Sequence, residues 1–351
     1  MSKEIPVFYH PSTFCHNPQY EAFNCEKRPH QDTVERISQI IKALQASRIA
    51  DIQVSKIDDA FPFVSRIHDR DYLKFLEDTS KTAENMAKKY NDPNAAIYPS
   101  VHQYVDFGRA SNFISRRGLY VFDTYTPIMK ETSQVALDSA GVAIAGAMLL
   151  KQGEPLVYTL NRPGGHHAES AMAGGMCYLN NIAVAAQYLR ENGASKVAIL
   201  DIDLHHGNGT QDIFYDRSDV LVVNINADPR FKFPHFTGYA NEHGQGNGEG
   251  VNHNFPLPEG TSNDLYAATA KKALRIIDKY QPEYLLISAG FDTHEQDSIG
   301  FFKLTTLFYQ ELGLQIKKLE LPTLVVQEGG YVANILGDNV VSLLKGLRGN
   351  K

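Results

Sequence analysis

The second half of the chain alternates between short apolar runs and longer stretches whose apolar positions recur with helical spacing. Runs at 155–160, 196–202, 220–226, 284–289 and 323–327 read as strands, and the stretches 177–192, 263–280, 305–319 and 337–347 read as helices, the second capped by Ser262 or Asn263. Continuous β-branched runs mark strands buried on both faces. Their alternation with amphipathic helices predicts a parallel sheet covered on both sides. The expected fold class is therefore α/β, a three-layer α/β/α arrangement around a central, mainly parallel sheet. Upstream, residues 5–9 read as a further strand and 32–47 as a helix with Asp32 or Thr33 at its start. Two more helices open near Asp71 and at Thr132 or Ser133, the second running to Lys151.

Between residues 91 and 129 the periodicity fails. Prolines at 93, 99 and 127 bracket a segment rich in Tyr and Phe that contains Arg116 and Arg117. An aperiodic stretch of this length is a functional or interface element, or a surface excursion packed by its own aromatics. No repeat, low-complexity tract or linker interrupts the chain, so residues 1–351 read as one domain. No apolar run reaches the roughly 18 residues a membrane span needs.

The chemistry lies just beyond the predicted strands, where parallel sheets place their ligands. The strand at 155–160 is followed by Asn161-Arg162-Pro163-Gly164-Gly165-His166-His167, and the strand at 196–202 by Asp203-Leu204-His205-His206-Gly207-Asn208. The strand at 284–289 leads into Gly290-Phe291-Asp292, and the last into Glu328-Gly329-Gly330-Tyr331. A single strand-end Asp usually caps a helix, and a single His is usually a hydrogen-bonded structural residue. Four such ends in one alternation point to a site. Asp201, Asp203 and His205 recur at every second position, which places them on one face of a strand. Two carboxylates and an imidazole there are costly unless something positive binds them, and a divalent metal is the simplest answer. Asp203, His205 and Asp292 supply two oxygens and a nitrogen, which leaves the open position that catalytic zinc requires. Zn²⁺ there polarises a carbonyl and lowers the pKa of water toward ~7. His166 and His167 are candidates for proton transfer and Tyr331 for an oxyanion donor. Together these parts hydrolyse an amide.

Charge narrows the partners. With 34 basic and 40 acidic residues the net charge is −6, which argues against nucleic acid or an anionic membrane and suits a small cationic substrate. Cys15, Cys25 and Cys177 are too few, and odd in number, for a disulfide framework. Without a signal-like apolar core near the first residues, the expected location is the cytoplasm. His206 reads as a buried, hydrogen-bonded histidine, Cys177 as a core residue, and 244–250 as a glycine-rich loop rather than a phosphate cradle. His10, His16, His30 and His68 have no metal-like spacing with one another.

Four stretches resemble the zinc-dependent histone deacetylase family of the arginase/deacetylase superfamily: Arg162-Pro163-Gly164-Gly165-His166-His167-Ala168, Gly175-Met176-Cys177-Tyr178-Leu179-Asn180-Asn181, residues 201–209, and Glu328-Gly329-Gly330-Tyr331. Phe233-Pro234-His235-Phe236-Thr237-Gly238-Tyr239-Ala240 and residues 292–305 are most similar to bacterial acetylpolyamine amidohydrolases. The resemblance implies a single catalytic Zn²⁺ on Asp203, His205 and Asp292, with His167 as general base and acid and His166 as an electrostatic partner. It implies Tyr331 as the carbonyl-polarising donor, Asp201 holding His166, and Asn208 holding His167. An amide there orients the ring without adding charge, which favours a neutral, basic His167. Gly175, Met176 and Phe233 would line the acyl tunnel. A structural K⁺ would sit on backbone oxygens near Asp201, Asp203, His205 and Asn224. The segment 91–129 resembles an insertion that forms a homodimer and narrows the active-site mouth. At the two positions where the subgroup carries glutamates for a distal ammonium, an approximate register places Ile114 and Tyr125, leaving Asp106 and Asp123 as the local acids beside Arg116 and Arg117. The implied substrate is an N-acetylated amine, acetylpolyamines or small acetylated diamines ahead of acetyl-lysine in proteins. A dinuclear manganese ureohydrolase ranks low, because His166, His167 and Asn208 stand where further carboxylate ligands would be needed. A non-catalytic acetyl-ligand binder would lack Tyr331 or a tandem histidine.

Overall fold

The structure, a computed structural model, describes residues 4–23, 26–100, 116 and 118–350. Its strands are β1 Ile5–Tyr9, β2 Tyr20–Phe23, β3 Glu26–Pro29, β4 Ala50–Val54, β5 Ala96–Ile97 and β6 Ile128–Met129, then β7 Leu156–Thr159, β8 Val197–Asp201, β9 Val220–Asn224, β10 Asn252–Asn254, β11 Tyr284–Ala289 and β12 Thr323–Gln327. Eight of them form one sheet in the order β10-β9-β8-β11-β12-β7-β1-β4, and every neighbouring pair is parallel. The pairs β2–β3 and β5–β6 are separate and antiparallel.

Side-chain alternation along the strands divides the core. Leu200, Val223, Ile287 and Val325 pack on one face against the helices Val34–Ser47, Asn263–Tyr280, Thr306–Lys317 and Ala333–Arg348. Their neighbours Ile199, Val222, Leu286 and Leu324 pack on the other, against Thr132–Lys151 and Asn181–Glu191. The strands that carry the four polar motifs, β8, β11, β12 and β7, lie side by side in the middle of the sheet. Their carboxyl ends therefore meet at one place.

Several elements differ from the sequence expectation. The helix expected from 177 begins only at Asn181, where the Asn180 side chain accepts from Ala183 N. Gly174 and Cys177 exchange backbone hydrogen bonds in a turn before it, and Gly175 and Met176 both have positive φ, so this stretch cannot be helical. The last helix starts at Ala333, four residues ahead of Gly337. Strands β4 and β10 sit at the two edges of the sheet; β10 is Asn-His-Asn and lacks the apolar signal of a buried strand. Thr132–Lys151 is long and apolar enough to cross a bilayer by length and composition, contrary to the reading of the apolar runs. Val135, Ala140, Ala143, Ile144 and Ala147 of that helix are instead buried within the protein.

The segment 91–129 is not simply a surface excursion. Leu119, Tyr120 and Val121 are buried in a third cluster with Tyr72, Phe75 and Leu76, and β6 pairs with β5. Ile114, Arg117 and Asp106 lie outside the described residues.

Asp32 does not cap the first helix. Its carboxylate pairs with Arg36 Nη1 and with Arg162 Nε at 3.0 Å, all three side chains being buried. Arg162 also donates to the carbonyls of Thr13 (2.7 Å), His16 (2.6 Å) and Asp32 (2.6 Å), tying the N-terminal segment to the end of β7. Burial works against the Asp32 carboxylate, but Arg162 and Arg36 hold its pKa well below the usual range. Removing one member of a buried ionic group leaves the others uncompensated. Arg162→Met is expected to destabilise the fold by about 3–5 kcal/mol in urea unfolding; a loss under 1 kcal/mol would show that the group contributes little.

Candidate active site

Asp203 and His205 follow β8, and Asp292 follows β11; all three are buried and their ligand atoms lie within 4.8 Å of one another. His205 Nδ1 stands 3.2 Å from Asp203 Oδ1 and 3.0 Å from Asp292 Oδ2, yet Asp292 Oδ2 has no aligned hydrogen-bond donor. Backbone amides fix the other oxygens: Leu204 N donates to Asp292 Oδ1 (3.0 Å), His205 N to Asp203 Oδ1 (2.8 Å), and Gly329 N to Asp203 Oδ2 (2.9 Å). Gly290 and Gly329 permit this packing, since a Cβ on either would meet the Asp203 carboxylate at 1.9 Å and 2.6 Å. Burial lowers the pKa of His205, and Asp203 and Asp292 outweigh it and lift it to about 9. Burial, with Asp203 adding, raises Asp292 to about 6. The cluster therefore attracts positive charge. A buried carboxylate oxygen without a donor, beside an imidazole and a second carboxylate, fits a divalent metal.

The tandem histidines after β7 occupy different electrostatic environments. His166 Nδ1 lies 3.0 Å from Asp201 Oδ2, and His167 Nδ1 lies 2.7 Å from Asn208 Oδ1, with the two ring centroids 4.0 Å apart. Burial lowers His166, but Asp203 and Asp201 prevail and lift it to about 10. Burial also lowers His167, and the adjacent His166 and His205 drive it further down, well below the ordinary imidazole value. One ring is thus held charged and the other neutral, the division of labour expected of an electrostatic partner and a base.

Tyr331 reaches the site from the loop after β12. Its backbone N donates to Asp297 Oδ2 (2.8 Å), Gly330 before it takes φ +112°, and the Arg36 guanidinium lies 5.0 Å from its ring centroid. Arg36 also donates to the carbonyls of Glu328 (2.7 Å) and Gly330 (2.5 Å). Burial raises the Tyr331 pKa well above the usual phenol value, so the hydroxyl remains a donor.

A cavity of about 680 Å³ joins these groups: His167, His205 and Tyr331 line it together with Gly175, Met176 and Phe233. Phe233 is 4.9 Å from the His167 ring and stacks on Phe122 at 5.9 Å. Gly175, at φ +55°, has His167 Cδ2 2.1 Å from where a Cβ would stand. Glu21 and Arg28 of the β2–β3 hairpin, Tyr125 and Lys232 also line the cavity. The structure thus brings together Asp203, His205, Asp292, His166, His167, Tyr331, Gly175, Met176 and Phe233, with Asp201 and Asn208 behind the two imidazoles.

Other residues had no separate signal. Glu328 Oε2 accepts from Gly165 N (2.6 Å) and His166 N (3.3 Å), fixing the histidine loop from the Tyr331 loop. Asp123, expected among the acids available to a distal ammonium, is buried instead. Its carboxylate accepts from Gly175 N (2.5 Å), Tyr125 N (3.0 Å) and Thr126 Oγ1 (3.0 Å), and burial raises it to about 6. It holds the tunnel wall. The acid that does line the cavity is Glu21, paired with Arg28 Nε at 2.5 Å. His206 is buried, with Nε2 3.1 Å from Gln211 Oε1 and 3.2 Å from Asn254 Oδ1.

Fold and site together place a cluster able to hold a metal ion beside acid–base groups and a phenol donor. The histone deacetylase domain matches residues 30–347, and the chain belongs to the histone deacetylase family. It is 39% identical to acetylpolyamine amidohydrolase 1 of Pseudomonas aeruginosa over 95% of this chain and 96% of that one. It is 40% identical to the acetylpolyamine amidohydrolase of Mycoplana ramosa, again over 95% and 96%. Among solved structures, an acetylpolyamine aminohydrolase from Burkholderia pseudomallei superposes with a TM-score of 0.91 at 34% identity, covering 99% of each chain.

Proposed function

We propose that this chain is a zinc-dependent amidohydrolase that removes acetyl groups from acetylated polyamines or small acetylated diamines. The observation that carries the proposal is the buried Asp203–His205–Asp292 cluster, in which Asp292 Oδ2 has no aligned hydrogen-bond donor, beside one histidine paired with a carboxylate and one paired with an amide. Zn²⁺ held by those three residues supplies Lewis-acid activation of water and of the acetyl carbonyl. His167 Nε2 takes the proton of the attacking water and later returns it to the leaving amine. His166, kept charged by its partner Asp201, stabilises the negative charge that develops on the carbonyl oxygen, and the Tyr331 hydroxyl donates to that same oxygen. Met176 and Phe233 give the acyl group and the amine's methylene chain an apolar wall, which favours slim, unbranched substrates.

The reading includes a structural K⁺ on backbone oxygens near Asp201, Asp203, His205 and Asn224, a cytoplasmic location, and a homodimer involving 91–129. The names of the relatives support its acetylpolyamine substrate. A second reading, deacetylation of acetyl-lysine in proteins, draws on the cavity lining, where Lys232 and Arg28 stand beside the single acid Glu21 among the described residues. Cations there weaken the attraction for a free polyamine. A substrate panel separates the two. Acetylputrescine, acetylcadaverine and acetylspermidine are expected to exceed an acetyl-lysine peptide in kcat/KM at saturating zinc; the reverse order would favour the second reading.

A further inference from the structure

Behind His167 the structure carries a hydrogen-bonded link that the proposed reaction does not use. His167 Nδ1 is 2.7 Å from Asn208 Oδ1, and Asn208 Nδ2 donates to Glu169 Oε1 at 2.9 Å and, at the longer distance of 3.3 Å, to the His167 carbonyl. An ionised carboxylate only accepts, so the amide must turn its NH2 toward Glu169. Its oxygen then faces His167 and accepts only, so the hydrogen of the neutral ring must sit on Nδ1. The Nε2 lone pair is left facing the cavity. If the amide turned round, Nδ2 would donate to Nδ1 and the hydrogen would move to Nε2, giving a ring that cannot accept a proton from water.

We propose that Glu169 is a positioning residue: through Asn208 it selects the His167 tautomer that can act as a base. The inference rests on the reading of His167 as the general base. It assigns a role to a half-buried carboxylate that lies outside the recognisable motif residues and has no contact with the metal cluster.

The surroundings of Glu169 make this control sensitive to pH. Burial raises its pKa, the Asn208 hydrogen bond lowers it, and the nearby Asp212 raises it again, to about 7 in all. Asp212 itself accepts from Ser170 N (3.1 Å) and Ser170 Oγ (3.0 Å). His68, which burial holds neutral with a pKa of about 4, has Nδ1 3.0 Å from the Glu169 carbonyl, and the Tyr72 phenol also faces this group. Once protonated, Glu169 can donate to Asn208, and the amide is no longer forced into one orientation. The acid limb of kcat should then contain two ionisations, a partial step as Glu169 takes its proton and a complete loss at lower pH as His167 takes its own.

The test uses zinc-loaded enzyme with Glu169→Gln, which keeps the shape and removes the charge, and Glu169→Leu, which removes the acceptor. The ¹⁵N shifts of the His167 ring report its tautomer directly. The wild-type ring is expected to be protonated at Nδ1 alone at pH 8, and both variants to show a mixture. With it should come a kcat roughly 10-fold lower at unchanged KM, a loss at the low end for an outer carboxylate, and a single-ionisation acid limb. A shifted tautomer with unchanged kcat would uphold the role of Glu169 and reject His167 as the base. An unchanged tautomer in both variants overturns the proposal, whatever happens to kcat.

Discussion

Replacing His167 with Ala is expected to lower kcat by roughly 10²–10⁴-fold, the range for loss of a positioned acid–base group, while zinc content and KM stay close to wild type. The zinc should remain because His167 is not among the three clustered ligands. The loss should be large because the neighbouring imidazole cannot substitute. His166 Nδ1 is 3.0 Å from Asp201 Oδ2, a buried carboxylate that favours the charged ring, so His166 is placed to carry charge and not to act as a base. His167 is held neutral by burial and by its cationic neighbours, so it is ready to accept a proton across the physiological range. The sign of the pH effect follows. With His166 committed to Asp201, the variant should show no recovery between pH 7 and 9. Wild-type turnover and an unchanged pH–rate profile in the variant would exclude His167 as the base.

Replacing Tyr331 with Phe should lower kcat by roughly 10²–10³-fold, the usual cost of one oxyanion donor. The ring would remain in place, since its backbone N is bonded to Asp297 and Arg36 holds the carbonyls on either side of Gly329. The substitution therefore removes only the hydroxyl. Its phenol is raised well above the usual pKa by burial, so it contributes a hydrogen bond and not a negative charge, and the variant's acid limb should match that of wild type. Full activity with zinc bound would leave the carbonyl oxygen to the metal and His166 alone.

Much of this was legible in the sequence because the buried centre of a parallel sheet has a strong signature. Strands β7, β8, β11 and β12 are largely apolar runs buried on both faces, and each is followed by a loop that carries polar residues and glycine. Position at four strand ends was enough to assemble Asp203, His205, Asp292, His166, His167 and Tyr331. Residues that act through backbone atoms were harder to read. Glu328 stands in a visible motif, yet its bonds to Gly165 N and His166 N depend on β7 and β12 being neighbours. Asp123 looked available to a substrate amine because an acid in an aperiodic stretch gives no sign of being buried against Gly175. Glu21 is separated from the motifs by more than a hundred residues and reaches the cavity only through the β2–β3 hairpin, which has neither a β-branched run nor a tight-turn dipeptide. Residues 177–180 read as the start of a helix because Cys177, Tyr178 and Leu179 continue an apolar pattern, whereas the chain turns between Gly174 and Cys177 and the helix starts at Asn181.

On the proposed function, the substrate is selected at a different place from the reaction. The proposed metal ligands, base and donor follow the central strands of the sheet. Glu21, Arg28, Tyr125 and Lys232 come from the N-terminal hairpin and from loops. Loops vary more freely than the strands that support them, which is how one catalytic centre can serve amines of different length and charge.

One metal ion held by Asp203, His205 and Asp292 is the centre of the proposed reaction, and the metal content of the chain measures it directly. After exhaustive dialysis against zinc-free buffer following loading, the wild-type chain is expected to retain one zinc per chain and the folded His205→Ala variant to retain essentially none, with activity lost in parallel. Equal zinc in the two proteins, or full turnover by the metal-free wild type, would contradict it.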